Sequence, residues 1–112
     1  MISDDWRGIK LMHLFADYHM HSTYSDGRGT IKEMAEAARA KGLEEITIAD
    51  HGPRNIGVGV KNAELLLDIK EEIRELNEEL SDLQVLAGVE ADVVDLAGAI
   101  DVPKKIYKEL DM

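Results

Sequence analysis

Between residues 14 and 90 the chain passes twice from a short strand-like run into an amphipathic helix and back, which narrows the possible folds sharply. The strand-like runs are 14–20, 45–50 and 83–90. The first helix is expected over Thr30–Lys41. Thr30 and Glu33 have capping-box spacing, Ile31, Met34, Ala35 and Ala38 recur on one face, and Gly42 follows the last turn. The second is expected over Asn62–Leu80, with Asn62 as N-cap and Leu66, Ile69, Ile73, Leu76 and Leu80 spaced by threes and fours. Its other face is densely acidic, as in a solvated outer helix. A helix joining two strands implies a parallel pair with a right-handed crossover, so the fold class is α/β. Strand parity sends Ile46, Ile48, Val85, Ala87 and Val89 toward the helices, with Tyr18 and Met20. Asp17, His19, His21, Thr47, His51 and Glu90 share the other face.

Ligand-type residues gather where these runs end. His19 and His21 close the first, within Tyr18-His-Met-His-Ser-Thr-Tyr-Ser-Asp26-Gly27. His51 follows the second, and Glu90 ends the third. Strand C-termini in parallel α/β folds form one common face, where active sites are built. Neutral imidazole is the commonest side-chain metal ligand, and carboxylates add hard anionic partners. His19, His21, Asp26, His51 and Glu90 are therefore the expected metal ligands. His19, His21 and Glu90 are also expected at the catalytic centre. The loop 52–61 carries Gly57 and Gly59 but completes neither a dinucleotide fingerprint nor a P-loop, and reads as an active-site rim. Arg54 and Lys61 on it are candidate phosphate contacts. Residues 91–102 suggest a small hairpin, and Pro103 suits the start of a short helix through Leu110. Residues 1–13 read as an arm that packs Trp6 or Ile9 on the body, with His13 outside any ligand pattern.

The remaining constraints are compositional. The 112 residues suffice for one small domain. A net charge of −10 argues against broad duplex nucleic-acid binding, while small phosphorylated substrates stay open because a bound metal inverts the local field. No cysteine is present, which excludes disulfides and thiolate sites. No membrane span or basic signal segment is evident, so a cytoplasmic protein is expected.

The motifs His19–Gly27, Asp50-His51-Gly52 and Gly88-Val89-Glu90, in this order over residues 14–112, resemble those of the PHP superfamily, named for polymerases and histidinol phosphatases. The likeness is nearest to the PHP modules of bacterial family-X polymerases and to related stand-alone phosphatases. It implies a distorted seven-stranded β/α barrel holding up to three divalent ions (zinc, manganese or iron), which hydrolyses phosphoesters by metal-activated water. By the same resemblance His19 and His21 bind one ion, Glu90 bridges it to a second, and Asp26 and His51 bind a third. Asp17 and Asp50 are candidates to orient ligand imidazoles, Asp17 the better placed by parity.

The family pattern continues with strands that bring two further histidines and an Asp-x-His pair, which this sequence lacks. Residues 14–112 therefore read as a partial parallel β/α barrel of about three units, stopping before a fourth strand. A site with fewer ions follows, together with open strand edges that favour a homo-oligomer or domain swap. The substrate class implied is a small phosphorylated compound or a nucleic-acid end. The alternative is a non-catalytic metal-binding or structural module. An amidohydrolase-like barrel also begins with His-x-His, but the Ser-Asp-Gly turn and the Asp-His after the second strand oppose it.

Overall fold

A computed structural model describes residues 15–112. The expected arm, with Trp6, Ile9 and His13, lies outside the described residues, as does Leu14. The elements are β1 Ala16–Met20, α1 Ile31–Ala40, β2 Glu45–Ile48, α2 Leu65–Glu79, β3 Gln84–Ala87 and α3 Lys104–Tyr107. The three strands form one parallel sheet in the order β1-β2-β3. The α/β class and the parallel pairing thus follow the sequence pattern.

The core lies between the sheet and its helices. Ile46, Ile48, Val85 and Ala87 are buried against Ile31, Ala35 and Ala38 of α1 and Leu66, Ile69, Ile73 and Leu76 of α2. Each helix offers a stripe three or four residues apart, so its charged face stays in water. Helix α1 begins as its sequence dictates. The Glu33 amide donates to the Thr30 hydroxyl, and the Thr30 amide donates to Glu33 Oε1. It ends in a Schellman motif, with Leu43 N–H on the Ala38 carbonyl and Gly42 N–H on that of Arg39. Gly42 sits at φ 82°, which a side chain would strain. Helix α2 starts later than expected, at Leu65, because Asn62 Oδ1 caps the turn before it by accepting the Leu65 amide at 2.9 Å.

The sheet departs from simple alternation in β1. Asp17 pairs with Ile46 and Met20 with Ile48, so three residue steps on β1 face two on β2, a β-bulge. Neighbours across a parallel ladder point the same way, which puts Asp17 and Met20 on the helix side. Tyr18 instead lines a hollow with Thr47 and Ala49 on the other side. The expectation that Asp17 shares a face with His19, and Tyr18 with Met20, is corrected by that extra residue. Asp17 Oδ1 accepts the His19 amide at 3.0 Å within the bulge, giving that donor a partner.

Beyond β3, Val93 and Ile100 bridge antiparallel, which forms the expected hairpin. The amides of Asp111 and Met112 both donate to the Ala87 carbonyl, and Asp111 Oδ2 accepts the Ala87 amide. The edge of β3 is thereby paired along part of its length, and Thr47 is fully buried with its hydroxyl 3.1 Å from Met112 Sδ. The inward face is less solvated than three bare strands would leave it.

Candidate metal centre

Past their regular portions, β2 and β3 stay together long enough to deliver His51 and Glu90 side by side. Glu90 N–H donates to the Asp50 carbonyl at 2.9 Å, Gly52 N–H donates to the Glu90 carbonyl at 3.0 Å, and His51 and Glu90 form a parallel bridge. His19 and His21 come from the end of β1, beyond the bulge. Asp26 arrives on a tight loop: Ser25 and Gly27 amides both donate to the Ser22 carbonyl, and a Cβ on Gly27 would lie 2.2 Å from the His21 carbonyl oxygen. Only glycine allows the chain to fold back so closely.

The loop is anchored from below by Asp50, which is 1% exposed. Its carboxylate accepts the Ser22 amide, the Ser22 hydroxyl and the Ser25 hydroxyl, each at 2.6 Å. The Ser25 hydroxyl in turn accepts the His51 amide at 3.3 Å. Asp17 and Asp50 therefore differ from their expected parts. Among the described residues neither accepts a hydrogen bond from an imidazole; Asp17 supports the bulge, and Asp50 ties the Ser-Asp-Gly loop to the end of β2.

All five expected ligands meet at this edge. His19 Nε2 and His21 Nε2 lie 3.2 Å apart, and both approach Glu90 Oε1, at 2.7 and 2.9 Å. On its other side His21 Nδ1 is 2.7 Å from Asp26 Oδ1, while Asp26 Oδ2 is 3.2 Å from His51 Nε2. Two groups of potential ligand atoms result, His19–His21–Glu90 and His21–Asp26–His51. The donor set and its spacing fit a divalent ion. Nitrogen ligands about 2.0–2.1 Å from a tetrahedral ion stand roughly 3.3 Å apart, close to the separation of the two histidine nitrogens. Glu90 needs to withdraw by only a few tenths of an ångström to match.

His21 belongs to both groups, yet a neutral imidazole offers one lone pair. With Nε2 directed at the first group, Nδ1–H donates to Asp26 Oδ1, a carboxylate–histidine pairing that fixes the tautomer and ring orientation. Asp26 keeps Oδ2 for the His51 side. The carboxylates carry their charge readily. In the metal-free protein, where either ring nitrogen of His21 can carry the proton, the His19 hydrogen bond, helped by that of His21, holds the Glu90 carboxyl below the usual carboxylate range against partial desolvation. At Asp26 desolvation pushes upward but is outweighed by the His21 hydrogen bond and the proximity of His51, so this carboxyl is also lowered.

Arg54 and Lys61 are exposed on the loop 52–61, and the Arg54 backbone amide donates to Asp101 Oδ2. Sequence reasoning missed several contributors. Ser22 and Ser25 are small polar residues in a turn, whose shared partner 25–28 positions away has no local signature. Asn55, with its amide nitrogen 3.2 Å from His51 Nδ1, lies in a loop read only as a rim. A larger hollow of about 660 Å³ lies at the opposite end of the sheet, by Glu44, Asn77 and Gln84, away from both ligand groups.

Residues 17–110 match the family described as the PHP domain. Over 110 residues the chain is 37% identical to the DNA polymerase/3'-5' exonuclease PolX of Bacillus subtilis, covering 98% of this chain and 19% of that protein. It is 35% identical over 101 residues to a "probable phosphatase" of Acetivibrio thermocellus, covering 89% of this chain and 39% of the relative. A "probable phosphatase" of Caldanaerobacter subterraneus is 35% identical over 108 residues, with 95% and 40% covered. The chain thus spans about two-fifths of the length of these phosphatases and a fifth of the polymerase. With the family matched over nearly all of its described residues, the chain belongs to the PHP family.

Proposed function

We propose that this chain holds divalent ions at the edge formed by His19, His21, Asp26, His51 and Glu90, and that it supplies these ligands to a phosphoester-hydrolysing site. The observation that carries the reading is the convergence of two nitrogens and a carboxylate oxygen within 3.2 Å from residues 71 positions apart. A divalent ion held there would acidify bound water and offset charge on phosphoryl oxygens, chemistry these residues lack alone. The chain's own part is to orient: Asp26 sets the His21 tautomer, Asp50 holds the loop that carries Asp26, and the paired β2 and β3 ends set Glu90 beside His51. We read the three strands as consecutive units of a β/α barrel of the PHP kind, acting on a small phosphorylated compound or a nucleic-acid end. Zinc, manganese and iron all suit imidazole with carboxylate.

A second reading, a non-catalytic metal-binding module, is favoured by the openness of the centre. The His19 side chain is 64% exposed, where an enclosed site would exclude water. Metal analysis followed by p-nitrophenyl phosphate hydrolysis with manganese separates the two. Turnover abolished by His19→Ala supports the enzyme, and bound metal without turnover supports the module. Absence of bound metal contradicts both and leaves a purely structural module.

A further inference from the structure

Beside the two histidines lies an open hollow of about 510 Å³ whose walls include His19, His21, Asp17, Met20, Met34 and Arg28. Arg28 belongs to none of the ligand pairs above. Its place is set by the backbone on either side. Gly27 is pressed against the His21 carbonyl and bonded to Ser22, and the Gly29 carbonyl accepts the Thr23 amide at 2.9 Å. The arginine is therefore carried on the same tight loop that delivers Asp26, and its backbone is held beside the histidines.

The chain has 23 acidic residues against 13 basic ones, so an arginine has partners in excess. Arg39 is tied to Glu36 of α1 and to Asp82 in the bend before β3, and Arg74 to Glu71 and Glu78 of α2. Among the described residues Arg28 makes no such pair, although Asp17 lines the same hollow. An exposed guanidinium at the mouth of a cavity, next to histidines and two apolar methionine side chains, is arranged to meet an anion that enters from solvent.

We propose that Arg28 is the anion-holding residue of this site, its planar fork taking two oxygens of a phosphate group so that the phosphorus faces the His19–His21–Glu90 cluster. That the anion is a phosphate rests on the phosphoesterase reading above; that an anion binds at Arg28 does not. Lysine supplies the charge without the fork and restores only part of the binding.

The test is calorimetric titration of inorganic phosphate into the manganese-loaded full chain, with metal content measured on each sample. The wild type is compared with Arg28→Gln, Arg28→Lys and, as a control for lost positive charge, Lys105→Gln on α3. Expected are about tenfold weaker binding for Arg28→Gln, an intermediate value for Arg28→Lys, wild-type binding for Lys105→Gln, and unchanged manganese content. Equal binding by wild type and Arg28→Gln, or an equal loss in Lys105→Gln, overturns the assignment. Manganese bound without phosphate overturns it too, while the metal centre stands. If manganese does not bind, the metal reading fails by itself, and the same titrations without metal decide Arg28: phosphate binding that needs Arg28 supports it, and none overturns it.

Discussion

At the residue scale, Asp50 holds the loop that carries Asp26 by accepting three hydrogen bonds, from the Ser22 amide and from the Ser22 and Ser25 hydroxyls. The candidate ligands were readable only in combination, since neither His-x-His nor a glutamate ending a strand is specific by itself. The Asp50 network depends on a loop folding back over β2, which no local pattern encodes. Asp50→Ala leaves three donors near a buried position without their acceptor and is expected to cost about 3 kcal/mol, read as a lower urea midpoint. It should also weaken metal binding, because Asp26 rides on the loop it anchors. A surface aspartate such as Asp82 replaced by alanine should shift the midpoint far less.

The same scale carries a dependence on pH. Glu90 and Asp26 have folded values below the ordinary carboxylate range. Each therefore favours the folded state above that range, and the contribution is lost as pH falls through the depressed value. In metal-free protein, Glu90→Gln should flatten the loss of stability between about pH 5 and pH 3 relative to wild type. An unchanged slope in chemical denaturation at stepped pH contradicts the Glu90–histidine pairing.

At the element scale, periodicity located the helices well because their burial is one-sided. Helix α1 was readable at both ends, since Thr30, Glu33 and Gly42 each satisfy a backbone group at a known position. Thr30→Ala should cost about 1 kcal/mol, measured by thermal or urea unfolding, and leave metal binding intact. Strand β1 was read less well. A bulge inserts one residue into the count, and a period of two has no way to announce it; Asp17 and Tyr18 changed faces as a result. His19 and His21 remained together because the bulge lies before them or at the first of them. Gly27→Ala places a methyl against the His21 carbonyl and should displace both His21 and Asp26, lowering metal affinity more than helix content.

At the scale of the whole molecule, the parallel three-stranded sheet gathers the candidate ligands at one end because every strand runs the same way. The outer edge of β1 is unpaired by any described strand, and large apolar side chains such as Leu96 and Val93 are exposed on the hairpin. We expect self-association through such surfaces, seen as a dimer or larger species in sedimentation velocity at micromolar concentration; a monomer throughout that range contradicts it.

The centre itself is tested most directly by metal stoichiometry. Wild-type chain, His19→Ala and Glu90→Gln, each freed of metal and dialysed against the same dilute manganese or zinc, are compared by elemental analysis with circular dichroism as a check on folding. Convergence of His19, His21 and Glu90 on one ion predicts at least one ion per wild-type chain and at least one fewer in each folded variant. Equal metal content in all three, or none in the wild type, contradicts it.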